Sequence, residues 1–298
     1  MDVIHDSDIK NCDGKDFFSS APFIGISRHR LLTDGTGVTS LVAFHGCPLS
    51  CKYCLNPQCK REEGVWMYLT PLQLYNRIKV DDIYFQSTGG GIVFGGGEPL
   101  LYPDFIKQFY ELCKDDKWKI CLETSLNVSR NVLYDLLPLI DEFIVDIKDM
   151  NPVIYRQYTG KDNKRVIDNL HYLKECDAEY KVLIRIPAID GYNTDLDVEQ
   201  TIDKLSRLGF QNYERIKYFT NPKEKHPTSD GQPVGKAICD VLKGIRLLIA
   251  EANEIDYSPN ICHFEGDCLG TCPKCEKELE LLTAVLDERK SKGAAIYL

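Results

Sequence analysis

The 298-residue sequence contains no run approaching the roughly 18 apolar residues that a membrane-crossing helix requires. Its opening stretch, MDVIHDSDIKNCDGKD, is polar and acidic, without the basic start and apolar centre of a secretory leader. Low-complexity tracts are absent, and positive charge is scarce. Against 45 Asp and Glu stand 36 Lys and Arg, a net charge of -9, which disfavours the non-specific nucleic-acid binding that basic side chains drive. These absences predict a cytoplasmic, globular protein without a membrane or nucleic-acid partner. Cysteine, by contrast, is plentiful: 13 residues, at 12, 47, 51, 54, 59, 113, 121, 176, 239, 262, 268, 272 and 275. Where no export signal is present, clustered thiols point to metal or redox chemistry rather than to a disulfide framework.

The chain is long enough to bury a large core. From residue 38 onward, apolar β-branched runs alternate with helical segments. Strands are predicted at Thr39–Phe44, Ile92–Gly95, Lys119–Glu123, Phe143–Ile147, Lys181–Ile186 and Arg215–Phe219. Runs such as FIVDIK and KVLIRIP are apolar throughout, as parallel strands covered on both faces require. Helices are predicted from Thr70-Pro71 to about Ser87, and over Pro103–Lys114, Ser129–Pro138, Asn163–Glu175, Thr194–Leu208 and Pro233–Asn253. Six strand–helix repeats imply an α/β fold, a partial (β/α)6 barrel, with its chemistry at the carboxyl ends of the strands. The expected organisation is an N-terminal extension over 1–37, the core over 38–255 and a cysteine-rich extension over 256–298.

Cys47, Cys51 and Cys54 follow the first predicted strand at spacings C-x3-C-x2-C. Iron–sulfur clusters are normally held by four thiolates. Three leave one iron open to a substrate or cofactor, as open zinc sites are the catalytic ones. A zinc knuckle completed by His45 or Cys59 is the plainer alternative, but tetrahedral zinc usually pairs two two-ligand arms. His45 is more simply core-facing or supporting. A second motif, STGGGIVFGGGEPLLYPDF, places Gly95, Gly96, Gly97 and Glu98 at a strand end. It lacks the GK[ST] ending of a phosphate loop.

Together these motifs resemble the radical S-adenosylmethionine (radical SAM) enzymes, whose signature includes an aromatic before the last cysteine, here Tyr53. The resemblance implies that Gly95–Glu98 contacts the methionine amino group of S-adenosylmethionine. Side-chain-free residues let backbone approach a ligand, and Glu98 can accept from an ammonium. LLTDGTGVTSLVAFHGCPLSCKYCLNP, KICLETSLN, FIVDIKDMNPVIYRQYTG and VLIRIPAIDGYN resemble segments of the glycyl-radical-enzyme activases, so the likeness runs over about 31–220. By position it implies Asp146 and Lys148 near the ribose and carboxylate, with Arg185 on the opposite wall. Glu123 and Thr124 are implied in binding a cation or the ribose, and His226 aligns loosely with an active-site histidine. Each has a plainer reading as a structural strand-end group. Asp146 and Lys148, at i and i+2, share a strand face.

The chain departs from the short activases in its tail, CHFEGDCLGTCPKCEKELELL. Cys262, Cys268, Cys272 and Cys275, at C-x5-C-x3-C-x2-C, can hold an auxiliary [4Fe-4S] cluster or a structural zinc. His263 is read as exposed or supporting, and the following helix as simple packing. The resemblance implies reductive cleavage of S-adenosylmethionine by a [4Fe-4S] cluster and hydrogen abstraction by the resulting 5′-deoxyadenosyl radical. The implied partners are a glycyl radical enzyme and a flavodoxin- or ferredoxin-type electron donor, in anaerobic metabolism. Two alternatives stay open: maturation of a precursor peptide by epimerisation or cross-linking, which the tail thiols favour, and a non-catalytic iron–sulfur electron carrier.

Overall fold

Five apolar segments and a more polar one at the edge become the parallel strands of one sheet. The computed structural model describes residues 19–31, 34–217, 234–264 and 271–298. The expectations at Cys12, His226 and Cys268 fall outside them. The parallel set is β2 (Val38–Phe44), β4 (Gly91–Gly96), β5 (Lys119–Thr124), β6 (Glu142–Asp146), β7 (Val182–Ala188) and β8 (Tyr213–Lys217). The sheet is open, in the order β3-β1-β2-β4-β5-β6-β7-β8.

Two antiparallel strands escape the sequence reading. The segment expected to be an N-terminal extension contributes β1 (Ala21–Leu31), paired with β2 from Phe23↔Phe44 to Leu31↔Val38 and with the short β3 (Met67–Leu69). In β1 Ala21 and Phe23 are buried while Pro22 and the residues from Ile24 to Ile26 are only partly covered. It therefore lacks the continuous apolar run that marks the central strands.

The helices cover the sheet. The segment read as one helix from Thr70 to Ser87 is divided into α1 (Pro71–Ile78), a 3-10 turn at Lys79–Asp81 and α2 (Asp82–Thr88). A capping box between Thr70 and Gln73 starts α1. The break turns the Asp81 carboxylate inward, where it accepts from Arg28 and His29 of β1. Next come α3 (Pro103–Cys113) and α4 (Arg130–Leu136), both close to expectation. The helix that the resemblance implies after the D-x-K strand is α5 (Pro152–Thr159), which Asn151 caps. It is followed by α6 (Lys164–Glu175), α7 (Asp195–Arg207), α8 (Val234–Ala252) and α9 (Pro273–Ser291).

Phe23, Phe44, Phe94, Phe105 and Phe109 form an aromatic centre between sheet and helices, with Phe44 4.7 Å from the stacked ring of Tyr102. Leu279, Leu282 and Leu286 of α9 are buried in the same core, so the tail helix belongs to the barrel packing. Among the described residues, no helix is long and apolar enough to cross a membrane. Parallel register leaves the carboxyl ends of β2, β4, β5, β6 and β7 along one rim. Phe44 pairs with Gly96, Thr124 with Val145 and Asp146 with Arg185.

Candidate active site

At this rim a cleft is lined by Cys47, Cys51 and Cys54, by Gly96 and Gly97, and by Glu123, Thr124, Asp146 and Lys148. Residues from four separate segments of the sequence thus meet at one place. Leu49, Leu55, Asn56 and Ser125 complete the lining. The cysteine loop is held from both sides. Gly46 N–H donates to the Cys59 carbonyl at 2.7 Å, while Ser50 and Lys52 donate to the carbonyls of Thr159 and Tyr158 at the end of α5. Helix α5 is thus an anchor of the thiol loop.

The glycine strand end approaches the same loop. Gly97 N–H donates to Phe44 O at 2.9 Å and Glu98 N–H to Gly46 O at 2.8 Å. Gly96 sits at φ +88°, and a β-carbon there would lie 2.6 Å from that of Ala43. Asn56 Nδ2 ties the Gly96 carbonyl at 3.0 Å, fixing the loop that follows Cys54 against the strand.

Glu98 is placed differently from the sequence expectation. It is buried and does not line the cleft. One carboxylate oxygen accepts from Thr124 Oγ1 at 2.6 Å and Leu100 N at 3.3 Å; the other accepts from Ser125 N at 3.0 Å and Ser125 Oγ at 2.6 Å. Burial pushes its pKa up, and the Ser125 and Thr124 bonds work against that rise. In this arrangement Glu98 braces the end of β5 and presents Thr124 and Ser125 to the cleft.

Lys148 and Asp146 form an ion pair across the two-residue spacing that puts them on one strand face. Burial opposes the Lys148 charge, yet Asp146 and the Cys51 thiol outweigh it and raise the lysine pKa. Arg185 meets three carboxylates: Glu214 at 2.5 Å, Glu123 at 3.2 Å and Asp34 at 3.3 Å. Burial, followed by repulsion from Asp34, raises the Glu123 pKa, and Arg185 counteracts it. Asp34 belongs to the LLTDGTG segment that carried the resemblance, but only the fold brings it and Glu214 to Arg185.

The thiols are not equivalent. Burial raises Cys47 to about 11 and also raises Cys51. Cys54 is lowered to about 6, chiefly by the hydrogen bond from the Cys59 thiol. Cys59, read from sequence as an ordinary thiol, is thus a buried neighbour of the third cysteine. His45 supplies no thiol partner; its Nε2 lies 2.9 Å from the Arg61 carbonyl oxygen. Tyr53 packs edge-on against Tyr192, with ring centroids 5.9 Å apart, outside the cleft lining. His263 is exposed.

Residues 41–205, more than half of the chain, match the family model described as the radical SAM superfamily. The chain belongs to this superfamily. Among curated radical SAM relatives, the (2S)-3-sulfopropanediol dehydratase activating enzyme of Klebsiella oxytoca is 26% identical over 238 residues, covering 59% of this chain and 74% of that protein. The pyruvate formate-lyase 1-activating enzyme of Escherichia coli K12 is 28% identical over 58% of this chain and 70% of its own length. The pyruvate formate-lyase-activating enzyme of Clostridium pasteurianum is 30% identical over 62% of this chain and 76% of that protein. The chain is therefore an enzyme of radical chemistry, related to the glycyl-radical-enzyme activases.

The cleft fits the cofactors that this family implies. It gathers three thiols, a glycine strand end packed too closely on Ala43 and Gly46 to admit side chains, and a buried Asp146 Oδ1 with no hydrogen-bond partner among the described residues. Among the described residues no three side chains are already closed around one point as ligands of a single ion are. Cys47, Cys51 and Cys54 are the residues that would hold a [4Fe-4S] cluster. Such a cluster with S-adenosylmethionine would supply the one-electron reductive chemistry of the radical SAM family. The protein's part is positioning. Lys148 and Asp146 bring paired charge to the cleft wall, Gly96 and Gly97 present backbone there, and Leu49 adds a buried apolar side chain to the lining.

Proposed function

We propose that this radical SAM enzyme activates a glycyl radical enzyme, taking hydrogen from a glycine α-carbon of that partner protein. The observation that carries the reading is the joining of the C-x3-C-x2-C thiols, the Gly96–Gly97 strand end and the Asp146–Lys148 pair in one cleft. Relatives named as activating enzymes support it on the side of the substrate. S-adenosylmethionine contacts Gly95–Gly97, Asp146 and Lys148, with Thr124 and Glu123 toward the ribose or a cation and Arg185 on the far wall. A flavodoxin- or ferredoxin-type protein supplies the electron. The four tail cysteines form a second metal site, iron–sulfur or zinc.

A second reading, modification of a ribosomally made peptide, is favoured by the tail thiols, since the short activases lack them. Reduced anaerobic enzyme with S-adenosylmethionine is expected to release 5′-deoxyadenosine, and Cys51→Ala to abolish release. An unchanged yield from Cys51→Ala would sink the radical assignment. Incubation with the large protein encoded beside this chain is expected to generate a glycyl radical signal by electron paramagnetic resonance. A mass change in a neighbouring short peptide, with no such signal, would decide for the second reading.

A further inference from the structure

The tail thiols do not stand apart from α8. Cys239, in that helix, is buried, and its Sγ lies 3.5 Å from Sγ of Cys275 in the first turn of α9. Cys275 is hydrogen-bonded in turn to the thiol of Cys272, the residue that caps α9. The backbone around Cys262 is tied to both helices by two lysines. Lys236, three residues before Cys239, reaches the Cys262 carbonyl at 3.5 Å, and Lys274 donates to the Ile261 carbonyl at 3.2 Å. Cys239 and the C-x2-C pair at the start of α9 therefore stand at one corner, with the backbone around Cys262 tied to α8 and α9 nearby.

The facing of α8 and α9 is set independently of these thiols. Arg246, two turns beyond Cys239 on the same face of α8, donates to Glu278, one turn beyond Cys275, at 2.8 Å. Side chains of both are nearly dry, at 1% and 8% exposure. The thiol contact is a second rung between helices already in register. Cys113 and Cys121 are also buried, but they pair with no other thiol in the described structure and behave as small apolar groups.

The spacing also separates the two metal classes. Thiolates about 2.3 Å from a tetrahedral zinc stand about 3.8 Å from one another, near the observed contact. A four-iron cube gives each thiolate its own iron, which holds the sulfurs beyond mutual contact. We propose that Cys239 joins Cys262, Cys272 and Cys275 as ligands of a mononuclear tetrahedral thiolate site, of the structural-zinc class, that clamps α9 to α8. The proposal rests on the reading of the tail as a metal site, and it brings in a cysteine that spacing alone never suggests. The described sulfurs run in sequence rather than around one point, so ligation turns Cys262 and Cys272 toward the Cys239–Cys275 pair. Four thiols give up their protons as the ion binds, leaving no open position for substrate.

The test uses the full chain carrying Cys51→Ala, so that iron held at the first site does not enter the count. Metal analysis is expected to find about one zinc per chain and no iron. Adding Cys239→Ser should lower zinc affinity, measured by chelator competition, by more than the roughly 10–100-fold that loss of a supporting group costs. With cobalt as probe, the thiolate charge-transfer band should fall by about a quarter, one ligand in four. Cys239→His should restore tight binding with an altered cobalt spectrum, a rescue that mere packing would not produce. Unchanged affinity in Cys239→Ser, with loss in Cys275→Ser, would overturn the proposal while leaving a metal-binding tail. Four irons in the tail would also overturn it. Absence of both metals would overturn the reading beneath it.

Discussion

A β-carbon at Gly97 would come within 2.1 Å of the Gly46 carbonyl oxygen, which also accepts the Glu98 N–H. Backbone cannot yield as the end of a flexible side chain does, so the strand end and the cysteine loop would have to part. Gly97→Ala is expected to cost about 1–3 kcal/mol of stability. Its larger effect should be on the site: iron retained per chain and calorimetric binding of S-adenosylmethionine should both fall. Retention of both at the native level would show that the glycine floor is not what shapes the cleft. The same scale explains why Glu98 stands apart from the cleft lining. Three donors at the end of β5 and the following turn, with Leu100 N, claim its oxygens, and those three come within reach only once the strands are aligned.

Between elements, α8 and α9 are joined by a buried network in which Arg246 bonds Glu278, Tyr84 at 2.5 Å and Tyr257 at 2.8 Å. Removing one partner of a dry ion pair leaves the other charge buried and uncompensated. Arg246→Met is expected to cost about 3–5 kcal/mol in denaturant unfolding. Adding Glu278→Leu should recover much of that loss, because the stranded carboxylate is removed as well. Equal instability of the single and double variants would mean that Arg246 acts through packing alone. The predicted helices whose apolar stripe faces the sheet were legible in the sequence. The division of Thr70–Ser87 was not, since its cause is a carboxylate that bonds to a strand more than 50 residues away.

Across the whole molecule, Arg28 of β1 ties that strand to Asp81 at 2.6 Å and to Glu276 of α9 at 3.1 Å, while His29 lies 2.8 Å from Asp81. Burial alone would raise the Asp81 pKa, but the Arg28 and His29 bonds and charges outweigh it and hold the carboxylate below its ordinary value. Its contribution is therefore present above the ordinary carboxylate pKa of about 3.9 and is lost as pH falls through the lower folded value. Asp81→Asn is expected to destabilise by about 3–5 kcal/mol at neutral pH. The gap from the native protein should narrow as the pH drops below about 4. A gap that stays constant with pH in urea titrations would refute an ionised Asp81 as the source. This three-way tie also shows why residues 1–37 were read as an extension. Strand β1 lacks a continuous apolar run, and its place in the sheet depends on β2, β3 and α9.

Local chemistry settled a good deal before any fold was known. Uninterrupted apolar runs required strands covered on both faces, and Thr70-Pro71 required a helix start. Three thiols at C-x3-C-x2-C with a glycine-rich strand end pointed to a radical SAM cleft, because those spacings are set by ligand geometry within a few residues. Tertiary structure decided whatever depends on partners distant in the chain. It turned Glu98 inward, surrounded Arg185 with Asp34 and Glu214, set Cys59 against Cys54, and brought Cys239 to Cys275. The physical reason is that propensity and motif spacing are properties of contiguous residues. Burial, charge pairing and sulfur–sulfur contact arise only when the sheet and its helices close around them.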